Sequence, residues 1–158
     1  MKVKKVIACI VCLFLPLLIG GISARLTAAD IPIYNDLLIK PFFNPPGYLF
    51  GPVWTLLYIL MGISLYLIWN SPQSVLRKKA LIIFAVQLAA NFLWSILFFS
   101  MHLLFVSIID ILFMWALILS MIITFSKIKK VAGWMNIPYL LWVSFASVLN
   151  ISIWWLNR

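Results

Sequence analysis

Five apolar runs, each long enough at roughly 20 residues to cross a bilayer as a helix, dominate this sequence and leave it few possible folds. They cover residues 6–24, 46–69, 80–101, 104–126 and 131–157. In hydrocarbon every backbone N–H and C=O must find a partner within the protein, so the options are helices or a closed barrel. A barrel needs strands that alternate apolar and polar residues. These runs are continuously apolar, so the sequence predicts helices. Of the 158 residues, 66% are hydrophobic and 9% charged, too little charge for a water-facing surface. The expected fold is an all-α membrane protein. Residues 1–158 form a single bundle of five transmembrane helices with one long loop, 25–45, between the first and second.

The net charge of +9 does not indicate nucleic-acid binding, because the basic residues sit in short clusters between apolar runs. Lys2, Lys4, Lys5, Arg77, Lys78, Lys79, Lys127, Lys129 and Lys130, nine in all, fall on one side of a five-span topology, and Arg25, Lys40 and Arg158, three in all, on the other. The positive-inside rule then sets the N-terminus in the cytoplasm and the long loop and C-terminus outside. The expected location is a bacterial cell membrane. The segment MKVKKVIACIVCLFLPLLIGGISA also has the basic start and small-residue end of a signal peptide. Its apolar stretch exceeds the roughly 7–15 residues of a signal core, which favours a retained first span. Cys9 and Cys12 are read as buried apolar fillers: metal ligation would need more ligands than these two.

Lys40 to Trp69, KPFFNPPGYLFGPVWTLLYILMGISLYLIW, is the most informative stretch. Asn44 is a candidate N-cap and Pro45 a candidate first helical residue. Pro52 should bend the helix. Trp54, Tyr58, Leu65 and Trp69 recur at helical spacing. Within the loop, IYNDLL suits a short amphipathic turn, and a loop this long is more often a lid or binding segment than a tether. Two further helices carry polar stripes: Gln87, Asn91, Trp94, Ser95 and Phe98 on the third, and Tyr139, Trp142, Ala146, Asn150 and Ile153 on the fifth. Polar side chains in hydrocarbon face the protein interior or a cavity, so these stripes should converge with Trp54 and Tyr58. Trp69, Trp134, Trp154 and Trp155 lie at helix ends, where indoles anchor at headgroups. Asp110, within the fourth run, has no Lys or Arg at its depth, so it is expected to be protonated or held by hydrogen bonds from amides, hydroxyls or indoles. His102 reads as a polar loop residue.

The segment KPFFNPPGYLFGPVW is similar to the signature of the tryptophan-rich sensory protein family, also called translocator protein or peripheral-type benzodiazepine receptor. LYILMGISLYLIW, QLAANFLW, the aspartate of SIIDILF, and PYLLWVSFASVLN follow in the family's order, so the resemblance covers residues 34 to 157. Tyr34-Asn35 stands where the family usually has Trp-Tyr, and Ile151 where it has a tyrosine. The resemblance implies a ligand pocket drawn from Pro45, Trp54, Tyr58, Asn91, Trp94, Trp142, Ala146 and Asn150. It also implies a porphyrin ligand (protoporphyrin IX or a haem-type tetrapyrrole), with isoquinoline-carboxamide or benzodiazepine-type drugs at the same place.

The residues fit a binding protein better than an enzyme. There is no carboxylate pair, nucleophile–base set or phosphate-cradling glycine loop, and no glutamate at all. An aromatic pocket with a few amides suits a large, flat, mostly apolar ligand. No required cofactor and no metal site is expected, and the partners expected are a tetrapyrrole, membrane lipids and a second copy of the chain, with no nucleic acid. Sterol binding is weakened, because Ile151 removes the tyrosine of the proposed cholesterol motif. The alternatives are light-dependent porphyrin degradation, implied by the resemblance, and lipid or sterol transport. Trp54 and Trp142, whose helical depths nearly coincide, are expected to face each other across the ligand.

Overall fold

The computed structural model describes residues 2–158, apart from the side chains of Lys2 and Asn35. Helix α1 (Lys2–Thr27) is followed by a short α2 (Ile31–Leu37), then α3 (Gly47–Trp69), α4 (Val75–Ser95), α5 (Leu104–Ile128), α6 (Lys130–Trp134) and α7 (Ile137–Leu156). A π-helical turn, Ile96–Ser100, prolongs α4. Five helical segments are long and apolar enough to span a membrane: 3–27, 47–69, 75–100, 104–128 and 130–156. The α1, α3, α7, α5 and α4 helices close a ring in that order, with α3 also touching α4 across it.

Local sequence explains where the elements differ from the apolar runs. Helix α3 starts at Gly47, with Pro46 as its N-cap, rather than at Pro45 behind an Asn44 cap. A residue before proline is held in extended conformation, so Pro45 cannot enter a helix ahead of Pro46. Pro46 itself is extended, at φ −58° and ψ 139°. Asn44 is thereby freed for the cavity described below. The last span is not one helix over 131–157. It breaks between α6 and α7 at Met135-Asn136, because Pro138 lacks an N–H and its ring would clash with the carbonyl of residue 134. Pro138 instead lies in the first turn of α7. The Asn136 amide bridges the break by donating to Ser64 Oγ at 2.9 Å and to the Ala132 carbonyl at 2.9 Å. At the end of α4, His102 takes a left-handed φ of 52°, the usual device for ending a helix; its Nε2 is buried without a partner.

The centre of the ring is both apolar and hydrogen-bonded. Met61, Ile68, Ile111, Met114, Ile118, Met121, Val143 and Ile153 are fully buried. The polar stripes of α3, α4 and α7 converge there. Tyr58 donates to Asn91 Oδ1 at 2.7 Å, Asn91 Nδ2 donates to the Tyr139 hydroxyl at 3.2 Å, and Tyr139 donates to Gln87 Oε1 at 3.0 Å. One turn along α4, Trp94 Nε1 and Ser107 Oγ both donate to Asn150 Oδ1, at 3.0 and 3.1 Å. These bonds tie α3, α4, α5 and α7 together, the role that polar side chains fill between helices in lipid.

One expectation is corrected. Cys9 is exposed and only Cys12 is buried, both as free thiols. Helix α1 meets the rest of the bundle along one narrow stripe, Cys12, Pro16, Gly20, Ser23 and Thr27, and Cys9, a turn nearer the N-terminus, lies exposed beyond the start of that stripe. Asp110 Oδ2 is buried with no hydrogen-bond partner in the protein, which fits the protonated alternative for this side chain. It sits on the flank of α5 beside the packed row of Ser107, Ile111 and Met114, one helical step away from the polar groups that bond Asn150.

Candidate ligand-binding site

Residues 28–46 cross one end of the bundle as a strap. Four side-chain contacts hold it. Ser100 Oγ, at the tip of α4, donates to Asp30 Oδ2 at 2.5 Å. The Tyr34 hydroxyl donates to Asn44 Oδ1 at 3.0 Å, and the Lys40 ammonium lies 4.9 Å from the centre of the Tyr34 ring. Asn157, just past α7, accepts from the Ile39 N–H at 2.9 Å and donates to the Ile39 carbonyl at 2.9 Å. Tyr34 is buried against Phe98 and Phe99, with ring centres 5.6 and 5.3 Å away. That burial pushes its hydroxyl pKa up to about 12.

Beneath the strap lies a cavity of about 420 Å3 between α1, α3 and the end of α4, within the range of roughly 300–1,000 Å3 typical of small-molecule sites. Its aromatic walls are Phe50, Trp54 and Tyr58 from α3, Trp94 and Phe99 from the α4 side, and Tyr34 from the strap. Trp54 and Tyr58 are stacked, with centres 5.5 Å apart and planes at 27°. Gly20 makes room for them: a Cβ there would stand 2.1 Å from Tyr58 Cε2. On the open rim, a Cβ added at Gly21, Gly47 or Gly51 would meet nothing within 4 Å. Polar side chains are the minority, and besides Thr55 on α3 and Ser95 on α4 they lie toward the strap. Asn44 and Thr27 contribute, and Ser23 Oγ is buried in the wall with no partner in the protein.

The chain belongs to the TspO/MBR family. The match to that family's profile runs over residues 12–156. The chain is 41% identical over 159 residues to the tryptophan-rich protein TspO of Archaeoglobus fulgidus, covering 99% of each chain. It is 35% identical over 158 residues to the tryptophan-rich protein TspO of Chlorobaculum tepidum, covering 98% of each. It is also 30% identical over 147 residues to the translocator protein of Bos taurus, covering 91% of this chain and 86% of that one. With its five spanning helices, this member of the family is a multi-pass membrane protein.

The residues singled out in the sequence do not all meet in the cavity. Pro45, Trp54, Tyr58 and Trp94 line it. Asn91 and Asn150, each 1% exposed, lie behind it, gripping Tyr58 and Trp94 respectively. Ala146 is buried in α7. Trp142 does not face Trp54 across the cavity. It packs edge-on against Phe50, with ring centres 5.9 Å apart, and Tyr139 is the α7 ring that meets Trp54, at 6.1 Å. Depth along the helices was estimated correctly enough to bring α3 and α7 level, but depth says nothing about rotation about the helix axis. Helix α1 was missed altogether. It supplies Leu17, Gly20, Gly21, Ser23, Ala24 and Thr27 to the wall, and the signals were the pair of small residues at 20–21 and the two hydroxyls that follow.

Proposed function

We propose that this protein binds a tetrapyrrole of the protoporphyrin type in the cavity beneath the strap, and that it serves in the sensing, transport or disposal of such ligands. The observation that carries this reading is the cavity wall: six aromatic rings around one space, with a few hydroxyls and one amide among them. A flat conjugated ligand gains stacking contacts on such walls, worth about 0.5–1.5 kcal/mol per ring pair beyond area burial. Its polar edge would meet Asn44, Thr27 and the unpartnered Ser23 hydroxyl. The glycine rim between α1 and α3 gives a planar molecule a side entrance at membrane depth. Flat isoquinoline-carboxamide or benzodiazepine-type drugs would compete for the same space.

The names of the relatives, a tryptophan-rich protein and a translocator, agree with a role in holding or moving a ligand. By the basic-residue asymmetry, the N-terminus lies in the cytoplasm and the strap, cavity and C-terminus lie at the outer face of a cell membrane. Titrating the purified protein with protoporphyrin IX tests the reading. Saturable quenching of tryptophan fluorescence, relieved by an excess of a competing flat ligand, is expected. Quenching that rises linearly without saturating would exclude a defined site.

A further inference from the structure

A second cavity, of about 820 Å3, lies between α1 and α4 at the end of the bundle away from the strap. Helix α1 rests against α3 at Gly62, where a Cβ would stand 2.7 Å from Leu13 Cα and 2.9 Å from the Cys12 carbonyl oxygen. Pinned to α3 there, α1 does not fill the space beside α4, whose residues at that level, Ala85 and Ala89, are small. The result is a trough. Cys12, Leu65, Phe84 and Leu88 form its buried floor, and Ile7, Val11, Leu15, Ala85 and Ala89 stand exposed along its rims. Lys4 to Ile19, its extremes on α1, are about 22 Å apart along a helix. Half the hydrocarbon core of a bilayer is about 15 Å, so the trough runs from headgroup level past the membrane centre.

The mouth has a different chemistry from the trough itself. Lys4 and Trp69 line it. Arg77 is fixed beside Trp69. Its Nη2 donates to the Trp69 carbonyl at 2.6 Å, its Nε donates to the Ile68 carbonyl at 3.3 Å, and its guanidinium lies 5.4 Å from the indole centre. A guanidinium has five N–H donors, so donors remain for a further partner. None of the three acids of the chain is near: Asp30 and Asp36 are on the strap side and Asp110 is on α5. An indole and two cations at headgroup depth, above a long apolar trough, match one molecule of the surroundings well. A second copy of the chain matches poorly. Paired about an axis along the membrane normal, the same patch faces itself, and Lys4 and Arg77 would meet Lys4 and Arg77.

We propose that this trough is a binding site for an anionic membrane phospholipid, with an acyl chain lying along the α1–α4 floor and the phosphate held between Lys4 and Arg77. The test uses the full chain reconstituted in phosphatidylcholine vesicles with trace spin-labelled phosphatidylglycerol or spin-labelled phosphatidylcholine, and reads the motionally restricted fraction of each label. The phosphatidylglycerol label is expected to be restricted several-fold more than the phosphatidylcholine label. That preference should fall by at least half in Lys4→Gln and again in Lys4→Gln with Arg77→Gln, and stay unchanged in Lys127→Gln. Ala89→Phe, a change at an exposed rim position, should reduce the restricted fraction of both labels. Equal restriction of the two labels in the unmodified protein would overturn the proposal. An equal loss in Lys127→Gln would overturn it in favour of general surface charge. A change of oligomeric state in Ala89→Phe, with restricted lipid unaltered, would overturn it in favour of a second copy.

Discussion

Tyr58 belongs at once to the cavity wall and to the hydrogen-bonded interior. Its ring stacks on Trp54 and its hydroxyl donates to Asn91 at 2.7 Å. Tyr58→Phe keeps the ring and leaves Asn91 Oδ1 short of a donor. Interhelical hydrogen bonds in membranes are worth about 0.6–2 kcal/mol, so unfolding in detergent should show a loss of that size. Tyr48→Phe, at a site 76% exposed, should show none. Gly20 and Gly21 make a sharper pair. A Cβ at Gly20 collides with the Tyr58 ring at 2.1 Å, while one at Gly21 meets nothing within 4 Å. Overpacking costs about 1–3 kcal/mol, and removing a glycine from a helix gains about 0.5–1 kcal/mol. Gly20→Ala should therefore lower the unfolding midpoint and weaken porphyrin binding, and Gly21→Ala should raise the midpoint slightly. Midpoints that move together would mean that α1 does not lie against Tyr58 in this way.

At the scale of elements, the strap is held to the bundle by side chains at its start and near its end, and these contacts can be removed singly. Asn157→Ala deletes both bonds to Ile39 without touching the cavity wall. Amide exchange over residues 38–45 should quicken, and dissociation of bound porphyrin should be faster, while exchange within α3 stays as it was. The Tyr34 hydroxyl gives the strap a pH dependence. Its pKa in the folded protein, about 12, is raised above the ordinary value of 10 by burial. The folded state thus favours the protonated hydroxyl that donates to Asn44. The stabilisation is complete below pH 10 and is lost as pH rises through about 12. Phenolate absorbance compared between the unmodified protein and Tyr34→Phe should assign this late-ionising group. A Tyr34 component appearing near pH 10 would show that the ring is not packed against Phe98 and Phe99.

For the molecule as a whole, the bundle was legible in the sequence because each span is a continuous apolar run. Rotation of the spans was legible only at polar positions. In lipid the outward face of a helix is as apolar as the inward one, so hydrophobicity does not say which way a residue points. Gln87, Asn91 and Asn150 marked the interior correctly, all within 1% exposure. Cys9 and Trp142 carried no such mark, and both were misplaced. The start of α3 was misjudged because the two adjacent prolines compete for the helix entrance, and the break before α7 because the apolar run continues through Pro138 without interruption. The central claim is that the ligand sits beneath the strap against Trp54, and paired tryptophan variants test it most directly. Protoporphyrin IX affinity should be measured for the unmodified protein, Trp54→Phe and Trp155→Phe, where Trp155 is exposed at the strap end of α7 and does not line the cavity. The account predicts that Trp54→Phe weakens binding by about 0.5–1.5 kcal/mol and that Trp155→Phe leaves it unchanged. Full affinity in Trp54→Phe together with a loss in Trp155→Phe would contradict it.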